Sequence, residues 1–305
     1  MKPVAVVDIG TNSVKLTVGS VADGTLNVLA DTTRITRLGK NVDKTNRLEV
    51  DSVAQTMNAL REFADLARAH GAEKIAAVGT SALRDAENGP LFVDEAQQIL
   101  GGRVEVIAGE REAHLIYLAA RRDPDLNLPQ NAPVAVMDIG GGSTEFVLGQ
   151  GDAVSFRDSL QLGAVRITER TLPSDPPGEA ETAQAIVAVD AILEAVPVPQ
   201  EAVILVGSGG TIANLAAMEQ GSKDNLHGQT LSRAQIEARI ADLASKSVAE
   251  RRQIAGLEPE RADVILAGAI IQARAMHRLN AESVRVSVRN LRYGLLYELS
   301  DNAAA

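Results

Sequence analysis

Two stretches of this 305-residue sequence are nearly the same. Residues 3–19 read PVAVVDIGTNSVKLTVG, and residues 133–149 read PVAVMDIGGGSTEFVLG. Aligned without a gap, they agree at nine of seventeen positions, including Asp-Ile-Gly. Each copy has the pattern of a buried strand, a glycine turn and a second strand. The repeat therefore predicts two similar α/β domains that face each other, each opening with this hairpin.

The segments that follow each hairpin alternate between strand and helix patterns. After the first copy, the pattern predicts a third strand and then the order α-β-α-β-α. The helical stretch after residue 50 places Met57, Leu60 and Phe63 near one face, and Gly71 marks its end. A polar, proline-bearing stretch, DPDLNLPQNAP, precedes the second copy. We place the domain boundary there, which gives domains 1–124 and 125–305.

The composition narrows the class of protein. Only 2% of the residues are aromatic, so the cores must be built from Ala, Val, Ile and Leu. The absence of cysteine removes disulfides, thiolate nucleophiles and cysteine zinc sites, and it fits a reducing cytoplasm. Asp8 comes too early for a secretory signal, and no apolar run could span a bilayer. The net charge of −10 argues against nucleic acid as a partner. We therefore expect a soluble, cytoplasmic protein.

The repeated turn carries the first chemical signal. We call residues 10–13 and 140–143 the first and second glycine loops. Successive backbone N–H groups in such turns form a concavity that binds phosphate. The preceding carboxylates, Asp8 and Asp138, cannot attract phosphate themselves, but they could hold a divalent cation that does. The alternative for either copy is a tight hairpin in which the aspartate only caps its own turn.

A third glycine-rich stretch, VGSGGTIANLA, follows a predicted strand and opens a predicted helix. We call residues 207–211 the third glycine loop. Its N–H groups would lie at a helix N-terminus, which favours anions. The stretch lacks a clean G-x-G-x-x-G pattern and an acidic ribose partner, so a dinucleotide site is not favoured.

Five motifs, in this order, resemble the exopolyphosphatase / guanosine pentaphosphate phosphohydrolase (Ppx/GppA) family: DIGTNSVKL, TSALRDA, AGEREAHLIY, DIGGGSTEF and GSGGTIANLA. The resemblance covers nearly the whole chain. It implies two ribonuclease-H-like domains of the actin, sugar kinase and heat-shock ATPase superfamily, with the active site in the cleft between them. An ancient duplication would explain the repeat.

The resemblance also implies roles for individual residues. Glu112 matches the catalytic base, and Asp138 and Glu145 match acidic residues that place the metal and the attacking water. Arg84 matches an arginine that reaches the phosphate chain. Asp8 is the counterpart of Asp138 and could share the cation. The other phosphate-binding residues fall on the glycine loops: Gly10, Thr11, Asn12, Ser13, Gly140, Gly141, Gly142, Ser143, Gly207, Ser208, Gly209, Gly210 and Thr211.

Without the family resemblance, the roles of three residues stay open. Glu112 lies near the start of a predicted helix, where an acid is stabilised by the helix dipole alone. Glu145 lies in an apolar strand and either faces solvent or lines a cleft. His114 could act as a general acid, but we interpret it as a helix-surface residue.

The sequence departs from the family in two places. Many members continue into a helical C-terminal region, so the resemblance predicts a short form without that extension. Asn290, in SVRNLRYG, stands where the family usually has glycine, which leaves the loop shape there open. The basic stretches around this loop and at residues 34–47 could guide a phosphate chain, with Arg289 and Arg292 as candidates. Solvated basic faces are the alternative.

The resemblance predicts an exopolyphosphatase that releases orthophosphate from linear polyphosphate by metal-assisted attack of water. Mg²⁺ is the expected cation; another divalent ion, or an assisting monovalent ion, is compatible with the sequence. The sister activity, removal of the 5′ phosphate of guanosine pentaphosphate, uses the same motifs. A sugar kinase of the superfamily and a non-catalytic polyphosphate or alarmone sensor are more distant alternatives. We expect no nucleic acid or membrane partner, and a homodimer is compatible with the sequence.

Overall fold

The computed structural model describes residues 2–22 and 24–304, with side chains of the last helix described through residue 302. The chain forms two compact units. Unit 1 contains Met1–Ala119 and Leu291–Ala305, and unit 2 contains Ala120–Asn290. The chain therefore starts in unit 1, builds unit 2 and then returns to unit 1. The first crossing lies close to the predicted boundary at residues 124 and 125, whereas the predicted division did not include the return.

Unit 1 opens with the first copy of the repeat. Its strands are β1 (Val4–Ile9), β2 (Ser13–Ala22), β3 (Thr25–Ile35), β4 (Lys74–Gly79) and β5 (Val104–Val106). Its helices before the first crossing are α1 (Val42–Thr45), α2 (Val50–Ala69), α3 (Ser81–Asp85), α4 (Gly89–Leu100) and α5 (Gly109–Arg121), the last of which runs just past the boundary. The short helices α1 and α3 lack a sequence pattern of their own, because four or five residues are too few to show helical periodicity.

The sheet of unit 1 has the strand order β3-β2-β1-β4-β5. β1, β2 and β3 pair antiparallel, and β4 and β5 join β1 in parallel. The buried face of α2 carries Met57, Leu60 and Phe63, as its periodicity predicts. The helix ends before Gly71, whose φ of +74° is a left-handed conformation that glycine adopts without strain.

Unit 2 opens with the second copy. Its strands are β6 (Pro133–Ile139), β7 (Thr144–Gln150), β8 (Ala153–Leu160), β9 (Ile204–Ser208), β10 (Thr230–Ser232) and β11 (Ser283–Ser287). Its helices are α6 (Ala164–Thr171), α7 (Glu179–Leu193), α8 (Gly209–Gln220), α9 (Arg233–Ala244), α10 (Val248–Arg251) and α11 (Ile265–Arg278). Short 3₁₀ turns cover Pro124–Leu126 and Pro259–Arg261.

The sheet of unit 2 repeats the order of unit 1. From one edge it runs β8-β7-β6-β9-β11, and β10 is added beyond β11. β6, β7 and β8 are again antiparallel, and β9 and β11 continue in parallel with β6. Three antiparallel strands followed by two parallel strands, in the order 3-2-1-4-5, occur in both units. This confirms the predicted α/β fold with two ribonuclease-H-like domains.

A glycine shared by both copies of the repeat marks a β-bulge. The register between β2 and β3 shifts at Val18/Gly19, and the register between β7 and β8 shifts at Leu148/Gly149. A Cβ on Gly19 would lie 2.7 Å from the backbone oxygen of Asn27, so the side chain must be absent there. The bulge shifts the pairing of the second and third strands by one residue. It therefore sets which residue of the third strand lies opposite each residue of the second strand near the glycine loop.

The last helix, α12 (Leu291–Ala304), returns to unit 1. Arg292 donates to the backbone oxygen of Leu16 at 2.8 Å and to Asp31 at 2.7 Å. The hydroxyl of Tyr293 donates to the other oxygen of Asp31 at 2.6 Å. These bonds fix the start of α12 against β2 and β3. No local pattern reveals them, because the partners lie more than 250 positions apart in the sequence.

The structure corrects the expectation that Arg289 and Arg292 are exposed guides for a phosphate chain. Arg292 is only 3% exposed, and its guanidinium is hydrogen-bonded to residues of β2 and β3. Arg289 forms ion pairs with two aspartates. The neighbouring Asn290 is buried and is not among the residues with a left-handed backbone, so the loop needs no glycine at this position.

Arg289 belongs to a polar cluster at the two chain crossings. Its two terminal nitrogens donate to Asp123 and Asp125, the latter at 2.7 Å. Asp123 is 4% exposed, and its second oxygen lies 3.1 Å from Nε2 of His227. The cluster ties the segment that enters unit 2 to the segment that leaves it.

Replacing Arg289 by alanine should lower the free energy of unfolding by about 2–3 kcal/mol, because the buried carboxylate of Asp123 loses its strongest partner. Urea denaturation measures this loss. Arg68→Ala removes an exposed pair with Asp65 on α2 and should cost less than about 0.5 kcal/mol. Equal losses for the two variants would contradict the assignment of Arg289 to a buried cluster.

In the part of the chain that the structure describes, no helix combines the length and apolar character needed to cross a membrane.

Candidate functional site

The first glycine loop connects β1 to β2 in unit 1. The N–H of Gly10 donates to the backbone oxygen of Ser13 at 3.1 Å, which closes the turn. The backbone N–H groups of residues 36 and 37 donate to the carbonyl oxygen of Asn12, and that of residue 39 donates to the carbonyl oxygen of Thr11. Within the described residues, the N–H groups of Thr11 and Asn12 have no backbone acceptor of their own. The carbonyl oxygens of the loop thus accept hydrogen bonds from the protein itself, whereas its N–H groups are available to bind an anion.

The carboxylate before this loop is neutralised within unit 1. Asp8 and Lys15 are direct partners across β1 and β2, and Nζ of Lys15 lies 3.1 Å from Oδ2 of Asp8. Both side chains are largely buried, which makes the pairing stronger than a surface ion pair. Asp8 therefore already has a cation beside it.

Arg84 and Glu112 form a second, largely buried pair in unit 1. Nη1 of Arg84 lies 2.8 Å from Oε2 of Glu112 and also donates to the backbone oxygen of Ile107 at 3.0 Å. Nη2 of Arg84 is buried and has no hydrogen-bond partner among the residues that the structure describes. A buried guanidinium N–H without an acceptor is costly, so this donor fits a role in holding an anion.

The two acidic residues in the first turn of α5 differ in their exposure to solvent. Glu112, in the first turn of α5, is 9% exposed, whereas Glu110 is exposed. The helix dipole can stabilise both, but only Glu112 is buried against an arginine. His114 is exposed on the same helix, as expected for a surface residue.

The second glycine loop connects β6 to β7 in unit 2. It is closed, like the first, by the N–H of Gly140, which donates to the backbone oxygen of Ser143 at 2.9 Å. Its carbonyl oxygens accept from the start of α6, and Nε of Arg166 donates to the oxygen of Gly142 at 2.8 Å. The N–H groups of Gly141 and Gly142 find no backbone acceptor in the described chain. These N–H groups can therefore receive an anion.

Two carboxylates lie side by side next to this loop. Asp138 on β6 and Glu145 on β7 are direct partners across the strands. Glu145 is 2% exposed, so it does not face solvent. Its Oε1 accepts from the hydroxyls of Ser143 and Ser159, both at 2.8 Å. The hydroxyl of Ser143, predicted to bind phosphate, is thus used to hold a carboxylate.

The third glycine loop brings the N-terminus of α8 to Asp138. Oδ2 of Asp138 accepts from the hydroxyl of Ser208 at 2.8 Å. Gly209 has a φ of +88°, and a Cβ there would collide with Oδ1 of Asp138. The first N–H groups of α8, which begins at Gly209, have no partner within the helix. A carboxylate and a set of free backbone donors are thereby held together.

Arg261 is a residue at this loop that the sequence did not single out. A Cβ on Gly210 would collide with its guanidinium, so glycine allows the arginine to lie against the loop. Glu258 accepts from Nε of Arg261 at 2.5 Å. Burial alone would raise the pKa of Glu258. The positive charge and the hydrogen bond of Arg261, together with the positive charge of Lys223, outweigh burial and hold that pKa below its ordinary value. The pair therefore stays ionised and fixes the arginine.

A different set of ligand atoms lies in the polar cluster at the crossings. Asp123, Asp125 and His227 each offer one atom within 4.8 Å of the others, which is close enough to hold a metal ion. Arg289 donates to both carboxylates and so already offsets their charge. Nδ1 of His227 accepts from the N–H of Val288 at 3.3 Å. Its proton therefore lies on Nε2, the atom that a metal would need.

Comparison with known families identifies the chain. A sequence model described as the Ppx/GppA phosphatase family matches residues 17–303. The chain belongs to the Ppx/GppA phosphatase family. This confirms the resemblance seen in the five motifs, and the protein is an enzyme that hydrolyses phosphoanhydride bonds. Phosphatases of this family generally depend on a metal ion.

The relatives span two activities. Exopolyphosphatase 2 of Mycobacterium tuberculosis is 35% identical, with 97% of this chain and 98% of that protein covered. The guanosine-5′-triphosphate,3′-diphosphate pyrophosphatase of Vibrio cholerae is 32% identical over 97% of this chain, which spans only 59% of that protein. The crystal structure of the Aquifex aeolicus Ppx/GppA family member superimposes with a TM-score of 0.82 at 34% identity, covering 99% of this chain and 98% of that chain.

Alanine at Gly209 should lower the rate of phosphate release by this Ppx/GppA phosphatase by about 10²-fold, because its Cβ displaces Asp138. Gly221, at the other end of α8, is a matched control. It is also left-handed, with a φ of +72°, but a Cβ there meets nothing within 4 Å. Gly221→Ala should strain the backbone equally and leave the rate within about twofold. The same loss of rate in both variants would show that strain, not Asp138, is responsible.

Proposed function

We propose that this Ppx/GppA phosphatase is an exopolyphosphatase that releases orthophosphate from the end of linear polyphosphate. The observation that carries the proposal is the arrangement in unit 2. Two adjacent carboxylates, the half-buried Asp138 and the buried Glu145, lie beside a glycine loop whose N–H groups have no backbone acceptor among the described residues. This combination suits an anion that arrives with a divalent cation. The 35% identity with an exopolyphosphatase of nearly the same length supports polyphosphate as the substrate.

The residues of unit 2 fit Mg²⁺ or a similar divalent ion. Mg²⁺ prefers carboxylate oxygens and retains water, and hydroxyls already orient both carboxylates here. In unit 1 the equivalent pair is Asp8 and Lys15, whose charges cancel. We therefore propose Asp138, and not Asp8, as the metal ligand. When bound, the ion would neutralise charge on the phosphoryl oxygens.

Glu112 is the proposed general base. Water attacks the terminal phosphorus, and Glu112 accepts its proton through the carboxylate. The bond between the terminal phosphorus and the bridging oxygen breaks, the bridging oxygen stays with the shortened chain, and orthophosphate leaves. The ion pair with Arg84 holds Glu112 in place, and the unpartnered Nη2 of Arg84 is available for a phosphate oxygen. Glu145 orients the attacking water.

Three glycine loops and Arg84 supply the donors for the phosphate chain in this proposal. Backbone N–H groups come from the first and second loops and from the start of α8. Such donors are fixed by the fold and cost no rearrangement when charge develops on the phosphoryl oxygens.

Hydrolysis of guanosine pentaphosphate at its 5′ terminal phosphate is the second candidate. It is favoured by the 32% identity with the Vibrio cholerae pyrophosphatase. The chemistry at the terminal phosphorus is the same, so the groups described above serve either substrate.

A phosphate-release assay with polyphosphate of several lengths, guanosine pentaphosphate, and ATP with and without a sugar separates the candidates. We expect release from polyphosphate that requires Mg²⁺, with a kcat/KM well above that for guanosine pentaphosphate. A higher kcat/KM for the nucleotide would reassign the substrate. Phosphorylation of the sugar would establish a kinase, and binding without release from any substrate would establish a sensor.

A further inference from the structure

Ser159 lies beside Glu145 on the third strand of unit 2. The two residues are direct partners across β7 and β8. Oγ of Ser159 donates to Oε1 of Glu145 at 2.8 Å. Ser143 donates to the same oxygen, also at 2.8 Å, from the second glycine loop. Glu145 therefore accepts one hydrogen bond from a hydroxyl of the glycine loop that precedes its strand and one from a hydroxyl on the neighbouring strand β8.

Two donors on one oxygen restrict the rotation of the carboxylate. A carboxylate that is 2% exposed must be hydrogen-bonded to remain ionised at acceptable cost. With Oε1 of Glu145 fixed by Ser143 and Ser159, the direction of Oε2 is fixed as well. Ser159, together with Ser143, thus contributes to the direction in which the second oxygen of Glu145 points.

The first copy of the repeat shows that this contact is particular to unit 2. The residue equivalent to Glu145 is Lys15, and its partner on β3 is Thr33. Lys15 donates to Asp8. A hydroxyl-bearing residue is present on the third strand of both units. In unit 2 its hydroxyl donates to a carboxylate next to a glycine loop, whereas in unit 1 the residue opposite it is a lysine.

We propose that Ser159 is a positioning residue that acts through Glu145 on the attacking water. The inference rests on the proposed function, in which Glu145 orients that water. Ser159 itself touches neither substrate nor metal in this account. Its hydroxyl sets the angle of the carboxylate, and misalignment of a buried catalytic group by even a small amount lowers the rate of the chemical step.

The test compares Ser159→Ala with Ser174→Ala, because the hydroxyl of Ser174, an exposed residue, also donates to a carboxylate, that of Glu181, at 2.7 Å. We expect Ser159→Ala to lower kcat for polyphosphate by about 10- to 30-fold with KM within about twofold, because a hydrogen bond to a charged group is lost. Ser174→Ala should match the wild type. Ser159→Thr, which keeps the hydroxyl, should restore most of kcat.

A double-mutant cycle separates positioning from a structural role. In a Glu145→Gln background, Ser159→Ala should change kcat by less than about twofold, because Ser159 has no carboxylate left to position. An additive loss would overturn the inference, as would a loss in Ser159→Ala that Ser159→Thr does not restore.

The outcome also distinguishes this inference from the proposed function. Hydrolysis by the wild type together with an unchanged Ser159→Ala variant overturns the role of Ser159 alone. No hydrolysis of any phosphoanhydride by the wild type overturns the proposed function and this inference with it.

Discussion

Glu112→Gln is expected to lower phosphate release from polyphosphate by about 10³-fold, the scale of a lost general base. Glutamine keeps the shape of the side chain and can still accept a hydrogen bond from Arg84 through its amide oxygen. It cannot take a proton from water. Steady-state phosphate release gives kcat, and equilibrium binding of polyphosphate should stay within about threefold of the wild type.

Glu110→Gln is the matched control for this variant. Glu110 lies in the same first turn of α5, but it is exposed. The substitution removes the same charge from the same helix end and should leave kcat within about twofold. Comparable losses in both variants would mean that the helix dipole explains the acidic turn and that Glu112 is not the base.

Asp138→Asn is expected to lower kcat by about 10²- to 10³-fold and to raise the Mg²⁺ concentration needed for half-maximal rate. Asparagine is nearly isosteric and can still accept from Ser208, so the fold should be kept. The charge that attracts a cation is lost. Phosphate release measured over a Mg²⁺ titration reports both effects.

Asp8→Asn provides the comparison within the duplicated fold. Asp8 occupies the equivalent position in unit 1 but is paired with Lys15. Its replacement should leave the Mg²⁺ concentration for half-maximal rate unchanged, whatever it does to kcat. A shift as large as that of Asp138→Asn would place the cation in unit 1 as well and contradict the assignment to unit 2.

The repeat explains why much of the fold could be predicted from the sequence. Strand and turn patterns of the two hairpins are local, and their duplication predicts two domains of the same order. The structure shows that order in both sheets. The end of α2 before Gly71 was also predictable, because a left-handed glycine after a helix is a local signal.

The contacts of the carboxylates were less predictable, because they depend on register. Counted from the turn between Gln150 and Ala153, a regular hairpin would pair Glu145 with Asp158. The bulge at Gly149 shifts the register by one residue and brings Ser159 opposite Glu145 instead. The glycine shared by both copies was the available signal, but glycine in a strand does not by itself fix the position of a bulge.

Long-range pairing accounts for the remaining differences. The basic residues near the C-terminus looked like a surface that could bind a phosphate chain. Arg289 and Arg292 are instead neutralised by aspartates that lie far away in sequence. Sequence spacing gives no information about such partners, and the return of α12 to unit 1 depends on them.

Hydrolysis of polyphosphate in ¹⁸O-labelled water, with Mg²⁺ and under single-turnover conditions, tests the central claim most directly. If water attacks the terminal phosphorus, the orthophosphate released will contain one ¹⁸O atom, and the shortened chain will contain none. Label in the shortened chain, or unlabelled orthophosphate, would contradict the account.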